Sequence, residues 1–109
     1  MIKVNILRDT QGFIREFTIR GHAGYAAEGS DIVCAAVSAV AYTAIGALDD
    51  LVGIKDYTEE SGYMKCRIPA ELSKEDKYKA GIILDTMVIG LKQIEKSYRK
   101  YVRVVEEVL

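Results

Sequence analysis

The chain has 109 residues, of which 50% are hydrophobic and 28% charged, and its formal net charge is −1 at pH 7. This length and composition predict one globular domain spanning residues 1–109 rather than a disordered chain. The near balance of 15 basic and 16 acidic residues argues against a protein that binds nucleic acid mainly through phosphate contacts. Two cysteines do not make a disulfide framework, and the strand-like start MIKVNILRD lacks the layout of a signal peptide. We therefore expect a reduced, cytoplasmic protein.

The first elements are two β-type runs, at residues 2–8 and 13–20, joined by a link of hairpin length at residues 9–12. In the second run, we expect Phe13, Phe17 and Ile19 to share one face because side chains alternate along a strand. Residues 22–30 have little apolar content and several glycines, which predicts a mobile surface loop.

A long apolar helix is predicted next, from about residue 32 to residue 51 or 52, with Ser30 or Asp31 as its N-cap and Gly53 as its stop. Residues 32–48 carry no charge, and this length is at the lower limit for crossing a bilayer. Their six alanines and the absence of basic flanks favour a buried helix of a soluble protein over a membrane span. Because the helix is apolar nearly all round, we expect it to lie deep in the fold or partly in a subunit contact.

The second half repeats the pattern of a hairpin followed by a helix. Residues 56–60 and 63–68 predict two strands around a Ser61-Gly62 turn, and Pro69 ends the second one. Ser73 is expected to cap the second helix, and a final β-like run follows Lys100. The second helix carries an apolar stripe at three- and four-residue spacing: Ala80, Ile83, Leu84, Met87, Leu91 and Ile94. The predicted order is ββαββαβ, an α+β fold with a mostly antiparallel five-stranded sheet covered by two helices.

The only histidine, His22, and one of the two cysteines, Cys34, bracket the glycine-rich loop. Cys34 lies in the first turn of the predicted helix, where unpaired amides and the helix dipole favour a thiolate, and the imidazole could accept the thiol proton. The amides around Val33 and Cys34 could also donate to a developing oxyanion. The alternative is that Cys34 is a small hydrophobe in an alanine-rich helix. Both interpretations are open on these residues alone.

Two polar residues lie one helical turn on either side of Cys34. Asp31 could orient the imidazole or simply cap the helix, and capping is the favoured interpretation. Ser38 could support the site or bond to a backbone carbonyl. Cys66 alternates with Met64 and Ile68 on an apolar strand face, which predicts a core thiol. No metal site is predicted because the one histidine and two cysteines lack the paired spacing of zinc ligands.

The ordered residues G-H-A at 21–23 and G-S-D-I-V-C-A-A-V-S at 29–38 resemble the ribosomal-processing cysteine proteases known as the Prp family. The resemblance implies a His22/Cys34 catalytic dyad, a homodimer and no cofactor. It also implies a substrate, the N-terminal extension of bacterial large-subunit ribosomal protein number twenty-seven, and a glycine-rich loop that rearranges when substrate binds. Asp31 and Ser38 match motif positions whose roles are less defined.

The primary hypothesis is therefore a cytoplasmic cysteine endopeptidase that supports ribosome assembly, with no membrane and no direct nucleic-acid partner. The loop residues Gly21, Ala23, Gly24 and Gly29 would let a substrate backbone approach closely. The alternative is a non-catalytic homodimeric module that binds a ribosome-associated protein. A thiol redox protein is weakened because Cys34 has no resolving cysteine near it in sequence.

Overall fold

A computed structural model describes residues 1–27 and 29–109; Glu28, which belongs to the predicted loop, lies outside the described residues. The elements follow the predicted order ββαββαβ. The strands are β1 (Ile2–Arg8), β2 (Ile14–Arg20), β3 (Tyr57–Glu60), β4 (Tyr63–Arg67) and β5 (Val102–Val108). The helices are α1 (Ile32–Ala47), which continues as a π-helical segment (Leu48–Val52), and α2 (Lys74–Ser97).

The five strands form one sheet in the order β3-β4-β2-β1-β5. The β1–β2, β2–β4 and β3–β4 pairs are antiparallel, and β5 pairs with β1 in parallel. Alternate β1 residues Ile2, Val4 and Ile6 are buried on the side of the sheet that joins the core with both helices, whereas Lys3 is exposed. The predicted α+β class and mostly antiparallel sheet are confirmed.

Of the three residues expected to share one face of β2, Phe17 is buried and Phe13 and Ile19 pack against the core, but Ile14, which was not expected there, is buried as well. The register shifts between Leu7 and Arg8, so that Leu7 pairs with Glu16 but Arg8 pairs with Ile14, leaving Arg15 as the extra residue of a β-bulge. The bulge turns Ile14 into the core together with Phe17. Phe13 is only half-buried, and its ring lies beneath the cations of Arg15 and Lys77.

Helix α1 begins and ends as predicted but is not deeply buried. Asp31 is the N-cap, and Gly53 ends the π-helical segment with φ of 75°, a conformation that favours glycine. One face packs into the core through residues that include Val33, Val37 and Ala41, and the opposite face is exposed. Residues 32–52 are long and apolar enough to cross a membrane by length and composition alone. Within this helix, 33% of the apolar 18-residue stretch is buried inside the fold.

Helix α2 is capped at its start by Ser73 and packs closely against α1 at Gly90. Ser73 Oγ accepts a hydrogen bond from Asp76 N–H, which confirms the predicted cap. A Cβ atom built on Gly90 would lie 3.3 Å from Val40 Cγ1, so the missing side chain permits the close approach of the two helices. The fully buried members of the predicted stripe are Ala80, Leu84, Met87 and Leu91, to which the structure adds Val88.

Glu106 on β5 ties the far edge of the sheet to the rest of the fold. Its carboxylate lies 2.6 Å from Lys92 Nζ and 2.9 Å from Arg8 Nε, and Arg8 also reaches Asp85. The hydrogen bond from Lys92, with that from Arg8, holds the pKa of Glu106 below its ordinary value despite partial desolvation. The ionised Glu106 therefore stabilises the fold fully above its unfolded-state pKa of about 4.3. This stabilisation is lost as the pH falls through the lowered folded-state pKa.

A Glu106→Gln variant is expected to lose about 1 kcal/mol of unfolding free energy at pH 7, because the network is only partly shielded from water. The loss should shrink as the pH is lowered below 4, where Glu106 itself becomes protonated. Denaturant melts of both proteins across this pH range measure the difference. Glu107→Gln is the matched control, and an equal loss in that variant would contradict the role of the network.

Candidate active site

The Asp31 carboxylate joins the start of α1 to the preceding loop. Oδ1 accepts hydrogen bonds from the amides of Val33 and Cys34, both 3.0 Å away, and Oδ2 accepts from the amides of Tyr25 at 3.0 Å and Ala26 at 3.4 Å. Desolvation acts to raise the pKa of Asp31, but the four amides together lower it below its ordinary value. The capping interpretation is confirmed; the carboxylate accepts from backbone amides on both sides of Asp31 in the sequence.

Cys34 is half-buried in the first turn of α1, and its thiol is free. The Ala23 amide donates to Cys34 Sγ at 3.3 Å. A hydrogen bond donated to sulfur stabilises negative charge that develops there during a reaction. Ala23 itself is buried, so its side chain fixes the segment that presents this amide to the sulfur. The local geometry is suited to an anionic sulfur.

The amides expected to bind an oxyanion are engaged elsewhere in this conformation. Both Val33 N–H and Cys34 N–H donate to Asp31 Oδ1. The expectation that they face a reacting carbonyl is therefore not met, because the N-cap carboxylate occupies them. The amide that does reach the sulfur is that of Ala23.

The His22 imidazole is exposed and lies against the turn between β3 and β4. A Cβ atom built on Gly62 would be 2.9 Å from His22 Nε2 and 3.4 Å from Cε1. The backbone on either side is also held, because Met1 N donates to His22 O at 2.7 Å and Gly21 N donates to Gly62 O at 2.9 Å. Across residues 1–27 and 29–109, no hydrogen bond joins the imidazole to Cys34 Sγ.

Two adjoining cavities share Cys34, His22 and Ser38 in their walls. The larger, of about 380 Å³, is lined mainly by predicted site residues: His22, Gly24, Gly29, Asp31, Cys34 and Ser38. The smaller, of about 170 Å³, extends from Gly21 toward Tyr42, Glu59, Gly62 and Tyr63. A peptide bound across Cys34 could therefore enter both cavities.

The smaller cavity includes residues that the sequence did not predict. Tyr42 on α1 donates a hydrogen bond to Glu59 on β3, and this bond raises the pKa of Tyr42. Gly62 and Tyr63 come from the β3–β4 hairpin. The pairing of Arg20 with Tyr63 brings this hairpin beside the end of β2, which lies immediately before His22. The sequence signal for this part of the cavity was the Ser61-Gly62 turn. It predicts a hairpin but does not indicate that β2 lies beside it.

Tyr25 anchors the loop between His22 and Cys34 to the segment that joins α2 to β5. Its ring packs edge-on against Tyr98, with centroids 5.8 Å apart, and against Tyr101, with centroids 5.1 Å apart. Pairs of this geometry contribute beyond the area they bury. The described residues 22, 24–27, 29 and 30 are otherwise exposed, which confirms a surface loop.

Replacing Tyr98 with leucine is expected to loosen this loop. Loss of one aromatic pair, about 0.5–1.5 kcal/mol, should increase loop opening roughly two- to tenfold. Elastase cleavage after Ala26 and Ala27, followed by mass spectrometry, measures this opening. Tyr78→Leu is the matched control because Tyr78 is 71% exposed on α2. Equal cleavage rates in the two variants would contradict the anchoring role.

Cys66 is the buried counterpart of Cys34. It is 2% exposed and pairs with Phe17 across the β2–β4 ladder. Burial, with a smaller contribution from Asp56, raises the pKa of the Cys66 thiol to about 12. The predicted core thiol is confirmed, and the two cysteines form no disulfide.

Comparisons with known proteins agree with this geometry. A family model described as "Cysteine protease Prp" matches residues 1–103. The ribosomal processing cysteine protease Prp of Bacillus subtilis strain 168 is 34% identical over 112 residues, covering all of both chains. Two crystal structures of the Staphylococcus aureus processing protease Prp are also similar. One holds a covalently linked product peptide (TM-score 0.89, 29% identity), the other a substrate peptide (TM-score 0.81, 28% identity), and each covers 98% of this chain and 100% of its own.

The match extends over nearly the whole chain in sequence and in fold, and it includes the segment that carries His22 and Cys34. The chain is a cysteine protease and belongs to the Prp family.

Proposed function

We propose that this protein is an endopeptidase in which Cys34 is the nucleophile and His22 the general base and acid. The observation that carries the proposal is that these two side chains line both cavities at the start of α1. A nucleophilic cysteine needs a hydrogen-bond donor beside its sulfur and a proton acceptor in the same site; the Ala23 amide supplies the first and the single imidazole the second.

The reaction proceeds through a thioester. His22 takes the thiol proton, Sγ attacks the scissile carbonyl carbon, and a tetrahedral oxyanion forms. Ala23 N–H, which already lies beside Sγ, is the donor best situated to stabilise that oxygen. The carbon–nitrogen bond then breaks as His22 donates its proton to the leaving amine. Water, deprotonated by His22, hydrolyses the thioester, and the free thiol is restored.

The hydrogen bond between His22 and Cys34 forms when substrate binds. The His22 ring is exposed and lines both cavities with Cys34, so it can turn toward the sulfur about its two side-chain bonds while staying against Gly62. A peptide that enters both cavities would shield this pair from water and commit it to reaction. Asp31 acts through the loop, because it fixes Tyr25, Ala26 and the Cys34 amide together.

The names of the relatives, which are ribosomal processing proteases, support a ribosomal-protein substrate. We propose that the substrate is the N-terminal extension of bacterial large-subunit ribosomal protein number twenty-seven, cleaved in the cytoplasm by the domain formed by residues 1–109. Gly24 and Gly29, which have positive φ and open space at their Cα atoms, leave room for an extended peptide in the larger cavity.

The protein is proposed to act as a homodimer. An apolar groove of about 470 Å³ lies between α1 and α2, with Val40, Thr43, Ile83 and Met87 among its walls. Ile82, on the same groove, is 51% exposed. A second copy covering this groove would bury the half-exposed face of α1 that the sequence assigned to the core or a subunit contact.

The direct test uses a synthetic peptide spanning the junction between the extension and the mature ribosomal protein. We expect the wild-type protein to cut it at one bond, identified from product masses, and to leave a peptide with a scrambled junction intact. Binding without cleavage would contradict the protease and support the alternative of a non-catalytic module. Cutting both peptides equally would contradict the proposed substrate.

A further inference from the structure

The turn between β3 and β4 presents a bare Cα atom to the proposed catalytic imidazole. Gly62 O accepts a hydrogen bond from Gly21 N, one residue before His22, at 2.9 Å. A Cβ atom on Gly62 would come within 2.9 Å of His22 Nε2, closer than real Cβ contacts allow. The same Gly62 lines the smaller cavity with Cys34. The turn therefore touches both the backbone and the ring of the histidine segment.

The conformation of the turn does not by itself explain this contact. Gly62 has φ of 72°, which favours glycine. Gly12, in the β1–β2 turn, has φ of 87°, but a Cβ atom there would meet nothing within 4 Å. Both turns need glycine for their backbone, whereas only Gly62 of the two leaves space that an imidazole occupies.

We propose that Gly62 is a positioning residue for His22. Its bare Cα is the surface on which the imidazole rests beside Cys34, and its carbonyl fixes the backbone at Gly21. This role rests on the proposed function, because it acts through His22 as the general base. A side chain at position 62 would push the ring off this surface. Because the ring is exposed, the displacement costs little folding energy but changes where the proton is taken and given.

The experiment compares Gly62→Ala with Gly12→Ala. Both introduce a side chain at positive φ and should lower the melting temperature to a similar extent. We expect Gly62→Ala to reduce kcat on the junction peptide roughly 10- to 100-fold, with Gly12→Ala within about twofold of wild type. The pH profile of kcat/KM, which reports the cysteine–histidine pair, should change in Gly62→Ala and match wild type in Gly12→Ala.

Equal kcat values and equal pH profiles in the two glycine variants would overturn the proposal. If Gly62→Ala folds poorly, Gly62→Asn replaces it, because asparagine tolerates positive φ and still adds a Cβ atom. A His22→Ala protein separates the two levels of inference. Full cleavage by His22→Ala would overturn the proposed dyad. An inactive His22→Ala protein beside a fully active Gly62→Ala protein would overturn only the role of Gly62.

Discussion

A Cys34→Ala protein is expected to lose cleavage of the junction peptide by roughly 10⁴-fold or more, because no other group replaces a deleted nucleophile. The substitution should leave the fold intact. Cys34 is half-buried and shares the helix with alanines, and the Asp31 cap uses the backbone amide of residue 34 rather than its side chain. Initial rates at saturating peptide, with circular dichroism of both proteins, measure the effect.

Cys66→Ala is the control for Cys34→Ala, because it is expected to affect stability rather than cleavage. Its thiol is buried and has a pKa raised to about 12, so it carries almost no thiolate at neutral pH. We expect near-normal cleavage together with a loss of about 1 kcal/mol of unfolding free energy from the shortened core side chain. Substantial cleavage by Cys34→Ala, or abolished cleavage by a folded Cys66→Ala, would contradict the assignment.

Alkylation of the wild-type protein checks the same contrast without substrate. At pH 7.5, a thiol with a pKa of 12 holds about 10³-fold less thiolate than an ordinary cysteine, and Cys66 is also shielded from reagent. Iodoacetamide should therefore modify Cys34 at least about 10³-fold faster than Cys66, as followed by peptide mass spectrometry. Equally slow modification of both cysteines would favour the binding module, in which Cys34 only packs.

The sequence predicted the elements well because each carries a clear periodicity. Ile2, Val4 and Ile6 alternate along β1, and the α2 stripe recurs at helical spacing. The bulge at Arg15 was missed, because no residue type requires one there, and it brings Ile14 into the core beside Phe17. Local patterns do not report a register shift.

The site was predicted in part for a related reason. The motif predicted His22 and Cys34, which line the same two cavities and lie shortly after β2 and in the first turn of α1. The β3–β4 hairpin, which contacts the imidazole, is distant from His22 in sequence. The pairing of β2 with β4 brings it close, with Thr18 opposite Lys65 and Arg20 opposite Tyr63. Short turns predict the β1–β2 and β3–β4 hairpins. They do not indicate that the two hairpins join through β2 and β4.

Gly21→Ala is expected to be severely destabilising. Gly21 has φ of 93°, and an added Cβ atom would overlap the carbonyl oxygen of Met1. That oxygen belongs to backbone, which is held on both sides because Met1 N donates to His22 O and Ile2 N donates to Tyr101 O. Positive φ costs about 1–2 kcal/mol and the overlap about 1–3 kcal/mol, so we expect a loss of about 3 kcal/mol.

The matched control for this loss is Gly24→Ala in the same segment. Gly24 has φ of 71°, but an added Cβ atom there meets nothing within 4 Å, so only the conformational cost of about 1–2 kcal/mol applies. Chemical denaturation of the three proteins measures both differences. A folded Gly21→Ala protein no less stable than Gly24→Ala would mean that β1 shifts freely. Gly21 would then serve the approach of substrate, as its position in the smaller cavity allows, rather than the packing of β2 against the start of β1.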